Sequence, residues 1–215
     1  MSATETSIEQ LIQIVSAASA DATARSGNWL ACRPGCSHCC HGVFAISALD
    51  ADRIRKGLND LALLEPSRAR KVVERASESV NRLASSFPGD QNTGHLFDTP
   101  EAELAFEEFG NDEPCPALDP ATQTCDLYTS RPILCRTFGL PLQAEDAGLA
   151  VCELCFEGAP GEEIERCQID PKINAVEAAA NADYEHAIGE RYQTTVAFAL
   201  YAGGPAIEAF SPARS

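Results

Sequence analysis

Residues 32–40 read CRPGCSHCC, and the four sulfurs of that run, Cys32, Cys36, Cys39 and Cys40, decide how the rest of the chain is organised. Six more follow at Cys115, Cys125, Cys135, Cys152, Cys155 and Cys167, giving ten cysteines in 215 residues. Thiols in such packets hold metal, pair as disulfides or carry out redox chemistry, and the compartment decides among these. The N-terminal segment lacks the early positive charge and unbroken apolar stretch of a secretory signal, its first basic residue being Arg25. Instead it sets Ile8, Leu11, Ile12 and Val15 at helical spacing behind a Ser7-x-x-Gln10 capping box. No run reaches the roughly 18 apolar residues that a membrane span needs. The expectation is a cytoplasmic protein, not attached to a membrane, whose cysteines stay reduced and ligate metal.

Outward from the cysteine run, the chain is long enough for one domain with its own hydrophobic core, so disulfide staples are not required for folding. The expected organisation is a single domain over 1–215. An amphipathic helix occupies 1–27, a cysteine-cluster metal-binding region 28–168, and a helical region 169–215. The expected fold class is mainly α: a small α-helical domain with an irregular, metal-cross-linked cysteine-rich segment and room for short β-hairpins. Ser47 and Asp50 form a capping box for a helix that carries Ile54, Leu58 and Leu61 and stops near Glu65-Pro66. Ser67 is placed to cap the next helix, whose Val72, Val73, Ala76, Val80 and Leu83 form one stripe. Residues 86–99 read as loop, and Pro100 to Phe109 as a short acidic helix. From Cys115 to Cys167 the helical period fades, with hairpins allowed around Asp119-Pro120 and Glu145 to Gly148. Asp170-Pro171 then opens an Ala-rich helix with Ile173, Val176, Ala180, Tyr184, Ala187 and Ile188 on one side.

The formal charge of −16 is unevenly spread. Between Arg82 and Arg131 there is no Lys or Arg but there are ten acids, and Thr137 to Glu165 carries seven more. Affinity for nucleic acid rests on Lys and Arg neutralising phosphates, so nucleic acid is not an expected partner. The acidic stretches are expected to be a solvated face.

Zinc and the iron of iron–sulfur clusters take thiolates, and pairs separated by two residues form a tight turn that aims both sulfurs at one point. Cys36-x2-Cys39 and Cys152-x2-Cys155 have this spacing. Adjacent Cys39 and Cys40 leave the backbone in different directions, so they are expected to serve different centres, or one ligates while the other packs. Ten thiols suffice for two four-sulfur sites with two over, although the sequence does not pair the ligands. Thiolates gathered where positive charge is scarce repel one another until a cation neutralises them. Arg33, Arg131, Arg136 and Arg166 lie near the cysteines, where they either tune thiols or pair with carboxylates. His38 and His41 could replace a sulfur, as imidazole does at zinc, although enough cysteines are present without them. Trp29 is expected to anchor the N-terminal helix to the core, and Tyr128 and Phe138 to pack around the site.

The run GCSHCC at 35–40 and the stretch CPALDPATQTCDLYTSRPILCRTF at 115–138 resemble the YkgJ-type cysteine-cluster proteins, a family of zinc- or iron-chelating domains with a C-x2-C-x2-C-C-like signature. The second stretch carries the more specific match: Cys-Pro-x-Leu at Cys115 to Leu118, Cys-x-x-Tyr at Cys125 to Tyr128, and Arg-Pro-x-x-Cys-Arg at Arg131 to Arg136. The resemblance covers Cys32 to Phe138 and implies Cys32, Cys36, Cys39, Cys40, Cys115, Cys125 and Cys135 as ligands. Cys152, Cys155 and Cys167 lie beyond it and join the candidate set on spacing alone.

Two function classes follow. In one, zinc or iron is held by clustered thiolates in a non-catalytic chelating or interaction module. In the other, an iron–sulfur centre transfers electrons or modifies a substrate, with a spare thiol such as Cys40 or Cys167 taking part. Neither a phosphate-binding G-x-x-x-x-G-K-[ST] loop nor a nucleophile elbow is present, which favours the first class while leaving enzymatic activity open. Thiol–disulfide exchange at Cys152-x2-Cys155 lacks the βαβ context of the thioredoxin-like motif. Metal ions are the expected partners, and a protein partner is left open.

Overall fold

The computed structural model describes residues 3–33, 35–144 and 148–203, with backbone alone at 3–7, 144, 148 and 203. The described residues form eight α-helices: α1 (Ala3–Ser26), α2 (Ala48–Leu64), α3 (Pro66–Leu83), α4 (Pro100–Glu107), α5 (Ile133–Thr137), α6 (Gly161–Arg166), α7 (Lys172–Ile188) and α8 (Val196–Gly203). Short strands pair antiparallel in two-stranded ribbons: β1 (Ala45–Ser47) with β8 (Gln193–Thr195), β2 (Gly89–Asp90) with β3 (His95–Leu96), β4 (Leu118–Asp119) with β5 (Thr124–Cys125), and β6 (Leu142–Ala144) with β7 (Gly148–Ala150). The fold is mainly α, with a cysteine-rich segment and short hairpins, as the sequence leads one to expect. No helix among the described residues is long and apolar enough to cross a membrane.

The chain divides into two compact units. The first is Met1–Cys36 with Ile133–Glu190, and the second is Ser37–Pro132 with Arg191–Ser215. The boundary between Cys36 and Ser37 therefore cuts through the cysteine run.

In the first unit α1 packs along α7 and against α5. Leu11, Val15 and Ala22 are buried, as the helical period of the N-terminal segment requires. Helix α1 starts at Ala3, so Ser7 lies inside it and does not cap it. Ala22, Leu140, Ile169 and Ile173 form one core, and Cys155, Phe156 and Cys167 a second. The guanidinium of Arg25 donates to the carbonyls of Arg166 and Gln168, tying the end of α1 to the segment before α7. The Asp170 carboxylate accepts from the Lys172 N–H at 3.0 Å, but α7 begins at Lys172 with Pro171 at its N-cap, one residue later than expected. Only Ile173 and Ala180 of the α7 stripe are buried, and Ile188 is exposed where Gly189 ends the helix in a left-handed conformation. Trp29, expected to anchor α1 to the core, lies in the 3-10 turn that follows α1 at 36% exposure, with Gly27 at φ +49 starting that turn. The expected turn at Glu145 to Gly148 has its strands in β6 and β7, while 145–147 lie outside the described residues.

In the second unit α2 and α3 form the expected helical hairpin, and α8 lies against both. Ser47 caps α2, its hydroxyl accepting from the Asp50 N–H at 3.2 Å. Helix α3 begins at Pro66, so Ser67 is inside the first turn; proline suits that position because its missing N–H has no helical partner there. Val72, Val73, Ala76, Val80 and Leu83 are all buried. Residues 86–99, expected as loop, close into the β2–β3 ribbon around a turn in which Gly94 N–H donates to Asp90 O at 2.7 Å. Helix α8 is a feature that period alone misses. Val196, Ala197, Phe198, Ala199 and Leu200 are all buried, so the segment is apolar on every side. The β1–β8 pair, in register Ile46↔Thr194, delivers α8 to the hairpin.

Candidate metal centre

Within the second unit, backbone turns gather four cysteines. Cys39 and Cys40 lie in the 3-10 turn His38–Cys40, closed by the Cys40 N–H donating to Ser37 O at 2.8 Å. The Cys115 N–H donates to Cys40 O at 2.7 Å, and His41 pairs with Pro114, so the two stretches are joined backbone to backbone. A turn from Cys115 to Leu118 leads into the β4–β5 ribbon, whose register sets Leu118 against Cys125 and returns Cys125 toward Cys115. Asp126 then fixes this strand. Its carboxylate accepts from Arg68 at 2.5 Å and from Arg75 at 2.6 Å, with its side chain only 2% exposed.

The charges on these four sulfurs are felt across all of their pairings. The Cys40 thiol donates to Cys39, which raises Cys40 and lowers Cys39 to about 6; Arg131 and His38 also favour the Cys39 thiolate. Burial pushes Cys115 up to about 12 and raises Cys125, with each also sensing Cys39. Cys115 and Cys125 act on one another and on Cys40. Arg131 is the basic residue that serves the thiols here, and its guanidinium is stacked 3.9 Å from the centre of the Tyr128 ring. Cys39 is thus the thiol of this group that ionises most readily near neutral pH, while Cys40, Cys115 and Cys125 hold their protons more tightly.

Within the first unit, a separate group forms. The Cys36 N–H donates to Arg33 O at 2.9 Å, and the Cys155 N–H donates to Cys152 O at 2.8 Å, so Cys152-x2-Cys155 makes the turn its spacing predicts. The Phe156 N–H donates to Trp29 O at 2.7 Å, which brings the Cys152–Cys155 turn to the segment preceding Cys32. Cys32 is pushed up to about 12 by partial burial, then by Cys155, Cys36 and Cys152. Cys152 is raised by burial and by Cys155 and Cys36. Gly139, at φ +96, lies against this group: a Cβ there would sit 2.5 Å from Cys32 Sγ and 3.7 Å from Cys155 Sγ. Only a residue without a side chain leaves that space to sulfur.

The structure therefore distributes the ten candidates in a way their spacing does not announce. Cys36 and Cys39, expected to share one turn, fall in different units, because the backbone makes two turns, Arg33 to Cys36 and Ser37 to Cys40. Between the neighbours Cys39 and Cys40, expected to serve different centres or to divide into a ligand and a packed thiol, the Cys40 thiol donates to Cys39. Cys135 is half-buried in α5, and Cys167 is fully buried beside Cys155 and Phe156. His38 and His41 are exposed. Tyr128 and Phe138, expected to pack around the site, are 60% and 41% exposed. Arg166 pairs with Glu163 at 2.6 Å. Two contributors escape sequence reading: Gly139, whose signal is the Thr-Phe-Gly that follows the Arg-Pro-x-x-Cys-Arg stretch, and Asp126, whose arginine partners lie more than fifty residues upstream.

All ten cysteines are free thiols. Among the described residues no three His, Cys, Asp or Glu side chains are already placed to hold an ion. The donor chemistry fits a soft or borderline cation: thiols alone, gathered by backbone turns, with a single side-chain torsion each to adjust.

The sequence profile of the CxxCxxCC family, described as "Putative zinc- or iron-chelating domain", matches residues 31–156. The chain belongs to the CxxCxxCC family. The matched span takes in Cys152 and Cys155 as well as Cys32 to Cys135, and so extends the family resemblance past Phe138. Cys167 lies outside it. No curated protein and no solved structure matches the chain.

Proposed function

We propose that this CxxCxxCC protein chelates zinc or iron through cysteine thiolates, in a binding or interaction role and not a catalytic one, with Cys32, Cys36, Cys39, Cys40, Cys115, Cys125, Cys135, Cys152, Cys155 and Cys167 as the donor pool. One observation carries this: free thiols from distant parts of the chain are gathered within each unit by backbone hydrogen bonds, Cys115 N–H to Cys40 O in one and Phe156 N–H to Trp29 O in the other. Such an arrangement is electrostatically unfavourable when ionised and becomes favourable once a cation neutralises it. A second reading, an iron–sulfur protein, is favoured by the number of thiols, which exceeds the four that one structural zinc takes.

Anaerobic purification, elemental analysis and a visible spectrum separate these. Colourless protein with stoichiometric zinc removes the iron–sulfur reading. Brown protein with iron and acid-labile sulfide removes the zinc reading. Protein that carries neither metal, and takes up neither when reconstituted under reducing conditions, overturns chelation altogether.

A further inference from the structure

We propose that the cysteines build two independent metal centres, one within each unit: Cys39, Cys40, Cys115 and Cys125 in the second, and Cys32, Cys36, Cys152 and Cys155 in the first. This rests on the chelating function proposed above and goes beyond it in number, ligand set and the point at which the cysteine run is divided.

The unit boundary between Cys36 and Ser37 provides the first support. It assigns two sulfurs of the run to each unit. The second support is the proximity of two sulfurs from distant segments: a Cβ at Gly139 would meet Cys32 Sγ at 2.5 Å and Cys155 Sγ at 3.7 Å. The third support is backbone scaffolding proper to each group. Cys115 N–H to Cys40 O and the β4–β5 register hold one group; Phe156 N–H to Trp29 O, the Cys152–Cys155 turn and the space left by Gly139 hold the other. Four thiolates complete the tetrahedral shell of a structural zinc or the ligand set of one iron–sulfur cluster. Binding of a divalent cation by each group forms metal–sulfur bonds, releases the remaining thiol protons to solvent and changes no oxidation state.

Cobalt(II) is the probe. The full-length chain, freed of metal and reduced, is titrated anaerobically while the visible d–d bands of tetrahedral thiolate-bound cobalt are followed. Two equivalents are expected. Cys152→Ser/Cys155→Ser and Cys115→Ser/Cys125→Ser are each expected to lower binding to one equivalent. Should a double variant fail to fold by circular dichroism, alkylation mapping of the wild-type chain during the titration decides: cysteines are expected to become shielded as the two sets of four. Binding of one equivalent in the wild-type chain, or shielding of Cys36 and Cys39 as members of one set, overturns the two-centre arrangement and leaves chelation standing. No thiolate-bound cobalt at any ratio overturns chelation itself.

Discussion

Cys39 is the residue whose surroundings most distinguish it from its neighbours. A hydrogen bond from Cys40, together with Arg131 and His38, lowers it to about 6, while the adjacent Cys40 is raised. Because the thiolate is the nucleophile, a depressed value means reactivity that persists down to about pH 6 and is lost below it. Pulsed iodoacetamide labelling of the metal-free chain at pH 7, read by peptide mass spectrometry, is expected to mark Cys39 ahead of Cys40 and Cys115; equal labelling of the three contradicts this. Asp126 stands beside the same site with a different task. Its carboxylate is buried between Arg68 and Arg75 and holds the Cys125 strand to α3. Removing one member of a buried ion pair typically costs about 3–5 kcal/mol, and the exposure of Arg68 puts Asp126→Asn at the lower end, about 3 kcal/mol. Urea unfolding measures it, and a loss under about 1 kcal/mol would mean that water screens the pair.

At the scale of elements, α2 illustrates a residue chosen against helix propensity. Gly57 sits in its interior, where glycine costs about 1 kcal/mol relative to alanine. The reason is the 3-10 turn Tyr128–Ser130, which closes on it: a Cβ at position 57 would lie 2.2 Å from Ser130 Oγ and 2.4 Å from its Cβ. Overpacking of this kind costs about 1–3 kcal/mol, so it outweighs the propensity gain. Gly57→Ala is expected to lower stability by about 1 kcal/mol in denaturant unfolding; a more stable variant would show that the turn yields freely. Arg131, the residue after this turn, serves Cys39 and Cys125, so the same packing that excludes a side chain at Gly57 positions a charge for the thiols.

For the whole molecule, the sign of the thiol shifts sets how metal binding responds to pH. Raised values mean that Cys40, Cys115 and Cys125 carry protons at pH 7, whereas Cys39, lowered to about 6, has largely lost its own. A Cys152→Ser/Cys155→Ser chain is therefore expected to release about three protons per metal between pH 7 and 8, with affinity falling as pH falls. Calorimetry in buffers of different ionisation enthalpy counts them; release of fewer than two would mean that the thiols are ionised before the metal arrives. Because binding to the folded state stabilises it, a chelator should lower the melting temperature of the loaded protein, and a melting temperature unmoved by metal removal contradicts a structural metal.

The mainly helical class, the α2–α3 hairpin and its buried stripe, the Ser47 cap and the family signature at 35–40 and 115–138 were all legible in the sequence, because each depends on residues close along the chain. Local signals also misplaced what depends on distant partners. Ser7 and Ser67 carry capping chemistry but lie within helices, which begin at Ala3 and Pro66. Helix α8 has no amphipathic period, because α2 and α3 cover it. The cysteines repeat that division. Their number, spacing and thiol chemistry are properties of the sequence alone. Which sulfurs share surroundings was decided by the tertiary structure, where two backbone turns split CRPGCSHCC and hydrogen bonds from Cys115 and Phe156 recruit thiols from far along the chain. Spacing fixes the reach of a turn, but only packing determines which chain segment arrives to meet it.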